Sequence, residues 1–259
     1  MNPVKIIFFD IDGTLWDPSA ERISDRTREA LKKLREKGIV LCIATGRPSV
    51  CLPDFGDLQF DAFCTFNGAL CYTDREIIHS DPIAPRDVAK VLQNAAALGR
   101  PVSVAVKDRL AANGSDQDLA DYYRVAGLDL TVSDDFDSAC QEAIYQIMLG
   151  SRESEYPAII RDTEGVKLAV SWERAVDVIS ATGGKGVAIS KTAAYFGLDL
   201  SRSLAFGDSY NDLDMLQAAG TGVAMGNAAP QLKEVADHVC RSVSEDGIYH
   251  YCLEHGLID

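Results

Sequence analysis

No stretch of this chain approaches the roughly 18 consecutive apolar residues that a membrane-spanning helix needs. Basic residues are outnumbered, with 25 Lys and Arg against 39 Asp and Glu and a formal charge of −14. A chain this acidic lacks the positive footprint of a general nucleic-acid or anionic-membrane binder. An anionic substrate must therefore meet a local positive centre, made by a metal and a few placed basic groups. The seven cysteines are odd in number and scattered without paired spacing, which is no disulfide framework. Several lie in apolar runs, where a thiol behaves as a small hydrophobe, and the reading is a reduced, cytoplasmic protein. Met1-Asn2-Pro3-Val4-Lys5 leads into a short apolar run carrying Asp10, not into the longer carboxylate-free stretch of a secretory leader. Internal repeats and low-complexity segments are also missing.

What is present is a rhythm. Val4-Lys5-Ile6-Ile7-Phe8-Phe9 is nearly continuous in apolar residues, as expected of a strand buried on both faces. A helix starts near Ser24, with Ala30, Leu31 and Leu34 facing inward and Gly38 where a C-terminal cap belongs. Strands follow at Ile39 to Ala44 and at Ala62 to Phe66. The texture changes near Asp81-Pro82, where a helix (Val88, Val91, Leu92, Ala95, Leu98) precedes Val102 to Val106, whose alternation suits a sheet with one exposed face. After Gly183-Gly184 the first rhythm returns, with helices from about Gly186 and Asn211 and strands at Ser203 to Phe206, Thr221 to Met225 and His238 to Cys240. The expected architecture is α/β: a doubly wound parallel-sheet (Rossmann-like) core at 1–82 and 184–259, with an inserted α+β domain at 83–183.

Four separated pieces follow or end core strands: Asp10-Ile11-Asp12-Gly13-Thr14, Thr45-Gly46-Arg47, Lys185, and Gly207-Asp208-Ser209-Tyr210-Asn211-Asp212. In a parallel α/β sheet, loops at the carboxyl ends of the strands converge on one crevice. Asp10 and Asp208 are hard oxygen donors suited to Mg²⁺, which prefers one or two carboxylates, waters and substrate phosphate. Lys185 adds a point charge, and Thr45 can donate to phosphate oxygens. A carboxylate such as Asp10 can attack phosphorus and form an aspartyl-phosphate. Asp12, two residues on, can protonate the leaving oxygen and later activate water, a role in which it must begin protonated.

These four pieces, in this order, resemble the haloacid dehalogenase superfamily of phosphohydrolases. The spelling from Gly207 to Asp212, with Ala224-Met225-Gly226-Asn227-Ala228, Glu245-Asp246-Gly247-Ile248 and Phe66-Asn67-Gly68-Ala69, resembles its Cof-like type IIB branch. The resemblance implies an inserted cap domain that closes over substrate and sets specificity. It makes Asp10 the nucleophile and Asp12 the acid/base. Mg²⁺ would be held by Asp10, the Asp12 backbone carbonyl and Asp208, with Asp212 supporting that shell. Thr45, Gly46, Lys185 and Asn211 would grip the phosphate, and Arg47 and Asn67 would face the cap and the substrate's organic part. The implied activity is Mg²⁺-dependent hydrolysis of a small phosphomonoester, a sugar phosphate or a phosphorylated cofactor, with no nucleic-acid or membrane partner.

Two other readings stand beside it: phosphoryl transfer between sugars, as in a phosphomutase, and a non-catalytic phosphometabolite-binding protein. The differently spelled fourth motif of the mutases opposes the first, and the filled motif positions oppose the second. Elsewhere the bland reading is preferred. His250, Cys252 and His255 read as part of a surface helix with no completed zinc pattern. Trp16 and Trp172 read as packing residues, and Asp134-Asp135-Phe136-Asp137 as a solvated loop without calcium-loop spacing.

Overall fold

The computed structural model describes residues 3–125 and 127–259, with only the backbone of Ser171. Strands β1 (Ile6–Phe9), β2 (Val40–Ala44), β3 (Ala62–Thr65), β4 (Leu70–Tyr72) and β5 (Ile77–Ser80) come first in the chain. A middle group follows, β6 (Val102–Ala105), β7 (Leu110–Ala112), β8 (Gln146–Gly150), β9 (Val166–Trp172) and β10 (Ala175–Ser180), and β11 (Ser203–Gly207), β12 (Thr221–Ala224) and β13 (His238–Val239) close the set. They form two sheets, ordered β13-β12-β11-β1-β2-β3-β4-β5 and β7-β6-β8-β10-β9. The chain divides into two compact units: the segments up to Thr45, Asp54–His79 and Lys185–Asp259 make the first, and Gly46–Pro53 with Ser80–Gly184 the second.

In the first unit β1 lies between β2 and β11, parallel to both. All four residues of β1 are buried, because helices cover both faces of a parallel sheet and leave no polar side for alternation to mark. Helix α1 (Asp25–Glu36) begins at Ser24, whose side chain accepts from the Thr27 backbone N–H. Replacing such a cap by alanine costs about 1 kcal/mol. Ala30, Leu31 and Leu34 are buried as their spacing requires. Because β2 and β3 continue to one side of β1 while β11 to β13 lie on the other, the strand order reverses at the β1–β11 pair. Crevices for ligands form at the carboxyl ends of strands around such a point.

The second unit holds α2 (Pro85–Ala97), α3 (Gln117–Val125), α4 (Phe136–Ala139) and α5 (Tyr156–Ile159) with the five-stranded sheet, whose neighbours all run antiparallel. Here β6 departs from expectation: all four of its residues are buried. Val102 and Val104 join a core with Val88, Val91, Ile147 and Val178. On the other face Ser103 bonds the Tyr123 hydroxyl at 2.5 Å, under a smaller cluster of Leu119, Tyr123 and Met148. A polar residue in strand alternation thus marks a second covered face, its hydroxyl satisfied by a tyrosine from α3. Asp134 to Asp137 departs too: Phe136 starts α4, and Asp135 pairs with Arg109 at 2.9 Å.

Returning to the first unit, α6 (Lys185–Tyr195), α7 (Leu213–Ala218), α8 (Pro230–Val235) and α9 (Gly247–Glu254) complete the fold. The helix expected from Asn211 begins at Leu213, after a 3₁₀ turn over Tyr210–Asp212. Helix α9 is less superficial than its sequence suggests, with Ile248, Tyr251 and Cys252 buried and the Tyr251 ring edge-on to Phe206. All seven cysteines are free thiols, and among the described residues no helix is long and apolar enough to cross a membrane.

Candidate active site

Strand register positions the first two carboxylates. Phe9 of β1 lies opposite Phe206 of β11, their rings stacked at 5.5 Å, and the Asp10 N–H donates to the Phe206 carbonyl at 3.0 Å. The chain leaves β1 at Asp10 and β11 at Asp208, so both side chains emerge from adjacent strand ends. The loop after Asp10 is tight because the Ile11 carbonyl accepts from the N–H groups of Thr14, Leu15 and Trp16. Gly13 lies in that turn at φ +80°, and a Cβ there would come within 2.3 Å of Asp208 Oδ2. Only glycine lets Asp208 approach so closely. At Gly207 a Cβ would lie 2.6 Å from that of Asp212, so the fourth motif closes over its own first residue.

Lys185, the first residue of α6, is fully buried, and its Nζ donates to Asp10 Oδ1 at 2.6 Å and to Asp212 Oδ1 at 2.5 Å. Burial by itself would lower the ammonium pKa, but the two carboxylates outweigh it and hold the pKa above its ordinary value. The other Asp212 oxygen accepts the N–H groups of Asp208 and Ser209, each at 3.0 Å. Asp212 is therefore spent on shaping the loop and fixing the lysine. Thr14 Oγ1 donates to Asp208 Oδ1 at 2.8 Å.

The carboxylates outnumber their nearest cation, and the electrostatics show it. Burial, then the neighbouring carboxylates Asp212, Asp208 and Asp12, push Asp10 well above the usual carboxylate range against the pull of Lys185. Burial and Asp212 raise Asp208 to about 7, opposed by Thr14 and Lys185. One oxygen from each of Asp10, Asp208 and Asp212 can be chosen so that all lie within 4.8 Å of one another. This donor set, all hard oxygen and short of positive charge, suits a small divalent cation.

Of the residues singled out in the sequence, the fold gathers Asp10, Lys185, Asp208 and Asp212 through the bonds above. Asp12 is half-buried in the same loop. Thr45 follows β2, buried, its N–H donating to the Cys64 carbonyl at 2.8 Å. Asn67 and Asn211 meet through their side-chain amides at 2.9 Å. Gly46 and Arg47 group with the second unit, where the Arg47 guanidinium donates to the Cys51 carbonyl at 2.8 Å. Sequence reasoning assigned no role to Thr14 or to Asn227, whose amide donates to the Gly13 carbonyl at 2.8 Å while its oxygen accepts the Val243 N–H. Both stand inside motifs already quoted for their spelling; only the contact reveals the job.

Comparison with known proteins shows the family. Residues 7–252 match a family model described as haloacid dehalogenase-like hydrolase. YkrA of Bacillus subtilis (strain 168), provisionally named a phosphatase, is 34% identical over 257 residues, with 98% of each chain covered. The HMP-PP phosphatase of Klebsiella pneumoniae (strain 342) is 28% identical across 91% of this chain and 89% of its own. Among solved structures, BT4131, described as a subclass IIB sugar phosphatase, matches with a TM-score of 0.92 at 28% identity, covering 98% of this chain and 100% of that one.

Proposed function

The chain belongs to the haloacid dehalogenase-like hydrolases and is a phosphatase of that family, and from this premise we propose that it hydrolyses a small phosphomonoester through an aspartyl-phosphate on Asp10. The observation that carries the reading is the buried carboxylate cluster around Lys185, with Asp10 raised by burial and by its acidic neighbours. Asp10, Asp208 and the Asp12 backbone carbonyl would hold Mg²⁺, with Asp212 supporting them from behind. When bound, the ion supplies positive charge that lets a phosphate approach these carboxylates and offsets charge developing on its oxygens.

The chain's own residues do the rest. Lys185 holds one Asp10 oxygen and so aims the carboxylate. Attack forms an Asp10 O–P bond and breaks the bond to the leaving oxygen, which takes the proton of Asp12. Asp12, now a carboxylate, removes a proton from water; the water attacks phosphorus, the Asp10 O–P bond breaks, and inorganic phosphate leaves. Thr45, Gly46, Lys185 and Asn211 are assigned to the phosphate. The second unit, with Arg47 as first candidate, is assigned the choice of leaving group. The sugar phosphatase among the similar proteins supports sugar phosphates as the class to try first, with phosphorylated cofactors beside them. The seven free thiols suit a reducing cytoplasm.

The test is phosphate release over a panel of phosphorylated metabolites, with Mg²⁺ and with a chelator. Release that depends on Mg²⁺ is expected for at least one small monoester. An isomerised or bisphosphorylated product in place of free phosphate would turn the reading to a mutase, and no release with any substrate would turn it to a binding protein.

A further inference from the structure

We infer that Asn67 is a positioning residue that couples the two phosphate-gripping side chains, Thr45 and Asn211, instead of reading the substrate's organic part. This rests on the assignment of Thr45 and Asn211 made above. Asn67 sits in the turn between β3 and β4 and is buried. Its backbone is left-handed (φ +53°), as is that of Phe66 before it (φ +53°). Asparagine tolerates that region, but a bulky residue such as phenylalanine reaches it only when its surroundings insist. Here the Phe66 side chain is completely buried in the core, which holds the turn in shape.

The strained turn places two groups of one residue. The Asn67 N–H donates to the Thr45 carbonyl at 3.0 Å, while Thr45's own N–H is tied to the Cys64 carbonyl. The Thr45 backbone is therefore clamped on both sides. The Asn67 side-chain oxygen accepts from Asn211 Nδ2 at 2.9 Å. An amide NH₂ has two hydrogens, so this bond uses one and fixes the direction of the other, the one a phosphate oxygen can accept. If both amides were turned over together the pair would still match. Residues from the β2 end and from the fourth motif, 166 positions apart by number (Thr45 and Asn211), are thus set by one side chain and its backbone.

The experiment is a double-mutant cycle on the full chain with Mg²⁺, using p-nitrophenyl phosphate as substrate and inorganic phosphate as inhibitor. Asn67→Gly keeps the left-handed backbone and removes the acceptor that aims Asn211; it is expected to lower kcat/KM by about tenfold to a hundredfold, less than the roughly hundredfold to thousandfold cost of deleting a donor outright because Asn211 itself remains, and to weaken inhibition by phosphate. Asn211→Ala alone should cost that larger factor, but added to Asn67→Gly it should cost only the remainder, about tenfold, because coupled residues are not additive. Asn67→Asp keeps both the turn and an acceptor, so adding Asn211→Ala to it should cost what it costs in the wild type; this arm serves if the glycine variant fails to fold. Independent, multiplying effects, or an Asn67 variant that changes the preference between p-nitrophenyl phosphate and a sugar phosphate while leaving phosphate inhibition unchanged, would overturn the inference. An active wild type with multiplying effects sinks only this role. A wild type inactive both on p-nitrophenyl phosphate and across the metabolite panel sinks the phosphatase reading and this role together.

Discussion

The two units each gather charge, with opposite polarity. In the first, one ammonium is shared between carboxylates: Lys185 sits between Asp10 and Asp212, with Asp208 in the same cluster. In the second, one carboxylate is shared between guanidiniums: Asp118 pairs with Arg152 at 2.8 Å, Arg174 at 2.9 Å and Arg100 at 3.3 Å. Asp116, Asp121 and Glu155 neutralise the same arginines from outside. The arginines there are a fifth to nearly half exposed, whereas Lys185 has no exposed side chain. Balanced charge within reach of water is structure: it ties α3 to the strands beside it and asks for nothing more. Unbalanced charge in a dry place is costly unless something else offsets it, and the missing positive charge is what a metal and a substrate-binding step can use.

The widest test of that contrast is Asp10→Asn, which should reduce turnover at least about a thousandfold, since a neutral amide cannot replace the attacking carboxylate. Its far-UV circular dichroism should be unchanged; a near-normal rate would remove the covalent mechanism. Next is Gly13→Ala, where the added methyl meets the Asp208 carboxylate and the backbone is strained as well. A loss of about 2 kcal/mol in denaturant unfolding is expected, together with a large fall in turnover, because Asp208 must move. Asp118→Asn in the second unit should do the reverse of Asp10→Asn. It should lower stability by about 2 kcal/mol by weakening a partly solvated network, while changing kcat by less than about twofold.

The smallest effect is the sharpest in sign. Asp118 is lowered to about 2 by hydrogen bonds from Arg152 and Arg174 against its partial burial, so its stabilising contribution is present above the unfolded value near 4 and fades as pH falls toward 2. Asp208, raised to about 7, works the other way. Between about 4 and 7 the folded, metal-free protein binds more protons than the unfolded chain, so this group removes stability as pH rises through that window. Thermal melts in chelator should therefore decline from about pH 4 to pH 7. Mg²⁺ should abolish the decline, and Asp208→Asn should flatten it without metal. A metal-free melting temperature that rises across that range would show that the cluster carries no surplus charge.

How much of this was legible beforehand varies with the kind of interaction. The core strands and α1 read directly, since runs such as Ile6 to Phe9 and the Ser24 cap are local signals. The inserted sheet was legible in outline and misread at Ser103, because whether a polar residue faces water or a tyrosine depends on a helix about twenty positions downstream. The motif residues stood out by type and order. Their partners did not: that the Lys185 Nζ also holds Asp10 and Asp212 depends on residues 175 and 27 positions away. Thr14 and Asn227 went unassigned, for a hydroxyl or an amide carries no mark of what it will touch.

By itself the sequence determined the chemical inventory: an acidic chain, an α/β rhythm, and carboxylates, threonine, lysine and asparagine at the ends of apolar strands. Those follow from composition and short-range periodicity, which each segment expresses alone. Only the tertiary structure decided that Asp10 and Asp208 stand on neighbouring strands, that Lys185 is buried between two carboxylates, and that Asn67 joins Thr45 to Asn211. Such relations depend on strand register and on which groups lose water together. Both are properties of segments far apart in the chain, and neither exists until the chain has folded.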